Sequence, residues 1–103
     1  MYDESVIHEA GARLHSAAPG ATVILFGSHA RGDADDASDL DFLVIEPEVG
    51  DAATEEVRLR RSLRGLGLFA DLAVVSAADA ERLRNEPSSL VGMALTEGRV
   101  LAA

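Results

Sequence analysis

Cysteine is absent from the 103 residues. That excludes a disulfide framework, thiol chemistry and sulfur-ligated zinc, so any metal must be held by oxygen or imidazole. Lysine is absent too: the nine basic residues are all arginine, and against 18 acids they leave a net charge of -9. A surface of that sign repels phosphate backbones, so direct binding of DNA or RNA through many phosphate contacts is not expected. One tyrosine and three phenylalanines leave few platforms for stacking bases. No apolar run reaches the roughly 18–20 residues that cross a bilayer, and the acidic start MYDESVIHEA is unlike the basic start of a signal peptide. A cytoplasmic protein without membrane contact is therefore expected. A hydrophobic content of 48% is enough for one core, and the whole span 1–103 reads as a single domain.

Ile7, Ala10, Leu14 and Ala17 recur at three and four, which predicts an amphipathic helix from Tyr2 to Ala18, stopped by Pro19-Gly20. The run from Ala21 to Phe26 is short, apolar and rich in β-branched residues, the pattern of a strand buried on both faces. Ser28 then caps a brief helix that Gly32 closes. Asp39 to Ile45 reads as a second strand, with Leu40, Phe42 and Val44 on one face and Asp39, Asp41, Leu43 and Ile45 on the other. From Asp51 to Leu66, acids lead and arginines follow, as a helix dipole favours. A third strand over Leu68–Val75 precedes a helix capped by Ser76 with Asp79 three residues on. Ser88 or Ser89 begins a last helix, which Gly98 ends, and Val100-Leu101 suits a short edge strand. The order predicts an α/β (α+β) sandwich in which strand order stays open.

Local and global rules conflict between Gly27 and Asp41. On a strand, Asp39 and Asp41 leave the same face about 7 Å apart, and two such carboxylates repel unless a cation lies between them. Oxygen ligands on a rigid element suit Mg²⁺. Asp71 is the one charge between Leu66 and Val75. A buried carboxylate without a partner is costly, and a shared metal would supply the partner. Three carboxylates on one or two ions form the ligand set of two-metal phosphoryl or nucleotidyl transfer. At Gly27-Ser28 a strand turns into a helix N-terminus, where free N–H groups favour phosphate. Arg31, one turn on, either faces the ligand or pairs with the acidic loop.

Gly27-Ser28, Ala30-Arg31-Gly32 and Asp39-x-Asp41, with a third aspartate at Asp71 and the closing Thr96-Glu-Gly-Arg-Val-Leu101, resemble the minimal nucleotidyltransferases of the DNA polymerase β superfamily. The resemblance implies a small mixed sheet of three to four strands backed by helices, binding a nucleoside triphosphate, ATP in the first instance, with Mg²⁺. It implies Asp39, Asp41 and Asp71 as metal ligands and catalytic residues, and Gly27, Ser28 and Arg31 as nucleotide-binding residues. It further implies an antitoxin of the HEPN/MNT toxin–antitoxin kind, which attaches AMP to a tyrosine of a partner HEPN ribonuclease toxin.

A chain of this length leaves little to cover an acceptor, so a partner chain or a homo-oligomer is expected to supply that wall. Two alternatives stand beside this reading: a non-catalytic nucleotide-binding regulatory subunit, and a transferase for a small hydroxylated molecule. Other motifs fail. An EF-hand begun at Asp33 puts Ala37 and Val44 at ligand positions, and Gly27-x-x-x-x-Gly32 lacks the following Lys-Ser/Thr of a phosphate-binding P-loop. Ser28 lacks the Gly-x-Ser-x-Gly elbow of a hydrolase nucleophile. Asp33, Asp35 and Asp36 read as a solvated face, His8 and His15 as surface residues, and His29 as filler. Arg58, Arg60, Arg61 and Arg64 read as a solvated helix end paired through Glu56 with Arg60, contact with an acidic partner being the alternative.

Overall fold

The computed structural model describes residues 2–35 and 38–103; Asp36 of the loop acids lies outside them. Helix α1 (Glu4–Ala17) leads to strand β1 (Thr22–Phe26), the short helix α2 (Ser28–Arg31) and strand β2 (Leu40–Glu46). Then come α3 (Ala52–Arg61), β3 (Ala70–Ser76), α4 (Ala77–Leu83), α5 (Leu90–Glu97) and the edge strand β4 (Arg99–Ala102). The four strands form one mixed sheet in the order β3-β2-β1-β4. β1 runs antiparallel to β2 and β4, and β2 runs parallel to β3.

The alternation read in β2 sorts the core into two layers. Leu40, Phe42 and Val44 pack with Val23, Leu25, Leu72 and Val74 against Ile7, Ala10 and Leu14 of α1 and Leu59 of α3. Leu43 lies on the other face with Ile24 and Phe26, under Ala80 of α4 and Val91 and Ala94 of α5. A strand with helices on both sides shows near-continuous apolar sequence, and β1 is buried along both faces as its composition predicts. Ser76 and Ser89 cap α4 and α5, accepting the N–H groups of Asp79 and Gly92 at 3.1 and 2.9 Å.

The third helix ends at Arg61, short of the predicted Leu66. Its last turn is closed instead by the Ser62 hydroxyl donating to the Leu59 carbonyl at 2.6 Å. Arg13 of α1 then donates to the Arg64 carbonyl at 2.8 Å, which holds the loop beyond it. Strand β3 begins at Ala70 and not Leu68, because pairing starts where Ala70 meets Leu40. The expected cap at Ser28 is corrected: Gly27 is the N-cap, and no side chain caps α2.

One acid is buried at the far end of β2. Glu46 is 8% exposed, and its Oε2 lacks a hydrogen-bond partner among the described residues. Burial, then the hydrogen bond and charge of Glu55, raise its pKa from 4.5 to about 7, against the opposing charge of Arg58. Glu55, held by hydrogen bonds from Arg58 and Glu46, falls to about 2. Glu46 protonates more readily folded than unfolded, so its contribution is lost as pH rises from 4.5 through about 7. The Glu55 contribution is lost only as pH falls from 4.5 towards about 2. Glu46→Gln, whose amide donates to Glu55 at any pH, is expected to gain about 1–3 kcal/mol over wild type at pH 8 and little at pH 5. Urea denaturation at the two pH values measures this.

Candidate active site

The residues assigned to the metal and the nucleotide gather at one end of the sheet. β1 runs antiparallel to β2, so the C-terminal end of β1 lies beside the start of β2, where Phe26 pairs with Asp41. The parallel register then sets Asp41 opposite Asp71, and residues opposite one another on paired strands share a face. That face is the one covered further along by α4 and α5, through Leu43 and Phe26. Asp39 precedes β2, exposed and two residues from Asp41.

The three carboxylates differ in environment. Asp41 is half-buried, and its pKa is raised by burial first, then by the charges of Asp71 and Asp39, with His29 and Arg31 opposing. Asp71 is exposed. The expectation of a buried Asp71 is therefore corrected: β3 is an edge strand, so the start of β3 stays open to water. Among the described residues, no three acidic or imidazole side chains form a ready ligand cluster. The three aspartates share an end of the sheet and meet through charge at Asp41.

Gly27 is the tightest point. Its φ of 76° and ψ of -156° belong to a region that only glycine adopts freely. A Cβ there would stand 2.3 Å from Asp41 Oδ2. The missing side chain thus lets the half-buried Asp41 carboxylate pack directly against the turn after β1. Carboxylate oxygens carried by rigid strands suit a hard divalent cation better than a soft one.

Arg31 pairs with the acidic loop and with more besides. Its Nε donates to Asp33 at 3.2 Å and its Nη1 to Glu97 at 3.0 Å. The same Glu97 oxygen accepts the Gly27 N–H at 3.3 Å. Glu97 escaped sequence reasoning because it lies 70 residues from Gly27. It gets there because Gly98 has no side chain: a Cβ would meet Ala94 O at 2.2 Å and Ile24 Cγ2 at 2.5 Å. Glu-Gly at the end of a predicted helix was the one available signal. His29, read as filler, donates from Nε2 to the Ser38 carbonyl at 3.0 Å and lies 5.7 Å from the Tyr2 ring. It braces the loop leading to Asp39.

The chain from residue 9 to residue 90 matches the nucleotidyltransferase domain family. The chain belongs to that family. As expected of such a domain, similar folds occur among solved structures. A Sulfolobus solfataricus protein assigned as a nucleotidyltransferase aligns with a TM-score of 0.62 and 22% identity, covering 93% of this chain and 76% of that one. A toxin–antitoxin structure with AMP-PNP aligns with a TM-score of 0.69 and 23% identity, covering 99% of this chain and 74% of that one. At these identities the likeness is one of fold. No curated protein matches the sequence. In this nucleotidyltransferase domain no helix among the described residues is long and apolar enough to cross a membrane.

Gly27→Ala is expected to cost on the order of 2–4 kcal/mol, combining backbone strain with the collision at Asp41. In an Asp41→Ala background the collision is gone, and the cost falls to about 1–3 kcal/mol. A double-mutant cycle in urea separates the two parts.

Proposed function

We propose that residues 1–103 act as one Mg²⁺-dependent nucleotidyltransferase domain that moves AMP from ATP to a hydroxyl acceptor. In this reading the acceptor is a tyrosine of a partner HEPN ribonuclease toxin, and the protein is its cytoplasmic antitoxin. The observation that carries the reading is the pairing of Asp41 with Asp71, with the Asp41 carboxylate packed against the turn at Gly27. Family membership supports transfer of a nucleotide, and the toxin–antitoxin neighbour solved with AMP-PNP supports an adenine nucleotide and a toxin partner.

Asp39, Asp41 and Asp71 would hold the cation, which when bound supplies positive charge at the α-phosphate and at the departing pyrophosphate. Gly27 and Ser28 would receive the β and γ phosphates at the turn into α2, the Ser28 hydroxyl donating to a phosphate oxygen while the Gly27 N–H is given to Glu97. Arg31 adds positive charge next to that turn and within electrostatic reach of Asp41, its guanidinium oriented by Asp33 and Glu97. The hydroxyl oxygen bonds to the α-phosphorus as the bond from that phosphorus to the β-bridging oxygen breaks. Asp71, exposed at the sheet edge, stands on the side from which the hydroxyl approaches and passes its proton to solvent.

Titration calorimetry is expected to detect ATP binding that strengthens with Mg²⁺. Asp41→Asn is expected to lose AMP transfer by about 100-fold or more. Because the raised pKa of Asp41 makes its ionised form a burden that grows as pH rises through that pKa, the Asn variant should melt above wild type at pH 7. Wild-type transfer by a well-folded Asn variant would remove Asp41 from the metal site. ATP binding without AMP transfer to any toxin would favour a masking regulatory subunit.

A further inference from the structure

The Arg31 guanidinium, assigned above to the nucleotide, is already engaged by acids of this chain: its Nε donates to Asp33 at 3.2 Å and its Nη1 to Glu97 at 3.0 Å. We propose that Glu97 is an internal anion that competes with the triphosphate for Arg31, and so sets how tightly the site binds a nucleotide carrying β and γ phosphates. The inference rests on the functional reading above and deepens it.

Contact geometry is the first argument. A single oxygen of Glu97, Oε1, accepts both Arg31 Nη1 and the Gly27 N–H, the latter at 3.3 Å. A guanidinium and a backbone N–H converging on one anionic oxygen serve a phosphate as well as a carboxylate, and both donors flank the turn assigned to the β and γ phosphates. The Glu97 side chain keeps 25% of its surface in water and Arg31 keeps 45%, so a ligand can reach the pair. The charge-assisted bond between them must open before Arg31 Nη1 turns to a phosphate. Apparent affinity then falls by the fraction of molecules in which that bond is open.

Charge is the second argument. One cation, Arg31, faces two carboxylates, and Asp39 and Asp71 act on Asp41 at the same end of the sheet. Mg²⁺ held by the three aspartates offsets their charge. Glu97 is carried by α5 and is left facing the phosphates when Arg31 turns away, where like charges repel.

The exchange needs no unfolding. Gly98 N–H bonds to the Ala94 carbonyl at 2.8 Å and closes the last turn of α5. Arg99 donates to Glu4 at 2.9 Å, and β4 stays paired with β1. Rotation of the Glu97 side chain alone frees Arg31, so the effect is read in nucleotide affinity and not in the fold.

The test compares wild type, Glu97→Gln, Arg31→Gln and the double variant by titration calorimetry with ATP or AMP in Mg²⁺. Glutamine keeps an oxygen for the Gly27 N–H and removes the charge. Glu97→Gln is expected to bind ATP about tenfold more tightly than wild type, with AMP affinity unchanged. In the Arg31→Gln background the same substitution should gain about twofold at most, the part that acts through space. Wild type supplies a reading that does not depend on how the variants fold: the Glu97 carboxylate carbon resonance should shift on adding ATP with Mg²⁺ and not on adding AMP. An ATP affinity at or below wild type in folded Glu97→Gln overturns the inference, as does an equal gain for AMP. So does a full gain without Arg31, or a Glu97 resonance indifferent to bound ATP. Failure of both wild type and Glu97→Gln to bind ATP overturns the functional reading instead.

Discussion

Parallel pairing of β2 with β3 places two carboxylates opposite each other, and the arrangement of the site follows from that register. Like charges on neighbouring strands are unfavourable, and Asp41 carries the consequence in a pKa raised by burial and by its acidic neighbours. The arrangement survives because it lies at the end of the sheet. The apolar layers under α4 and α5 are built from Ile24, Phe26 and Leu43, and Asp71 beyond them reaches water. A shift of one residue in β3 would turn Asp71 to the opposite face. It would also move Leu72 and Val74 out of the layer shared with α1 and α3. Core packing therefore maintains the placement of the acids.

The turn beside them is held from a distance. Glu97 arrives on the C-terminal end of α5 and binds both Gly27 and Arg31. Arg31 is thereby tied to acids on two sides, with Asp33 the other, and still lends charge to Asp41. Two glycines make the assembly sterically feasible: Gly27 lies against Asp41, and Gly98 lets the end of α5 close onto β1. Either side chain, if present, would drive apart elements that the site requires to touch.

β2 carries a buried or half-buried acid near each end, and the comparison separates structure from chemistry. Glu46, raised to about 7, is held in its protonated form by a hydrogen bond to Glu55, with the charge of Arg58 opposing. Asp41 has acidic neighbours on two sides and no hydrogen-bonded cation of its own among the contacts that shift it. Groups left in unfavourable charge environments mark functional positions more often than those that are locally paired.

Local pattern in the chain determined much of this protein. The three-and-four spacing of Ile7, Ala10 and Leu14, the alternation in β2 and the caps at Ser76 and Ser89 specified the elements, since each depends on near neighbours and backbone geometry. The motif from Gly27 to Asp41 made the family legible because a turn and a strand preserve spacing. Where α3 stops and β3 starts was not legible, since Arg13 and the pairing partner Leu40 decide it from other elements. The exposure of Asp71 was misjudged for a related reason: an apolar run does not reveal whether its strand lies at the centre or the edge of a sheet. Strand order and the contact of Glu97 with Gly27 were left to tertiary structure. Each joins segments far apart in the chain, and only packing of the two layers brings those segments into range.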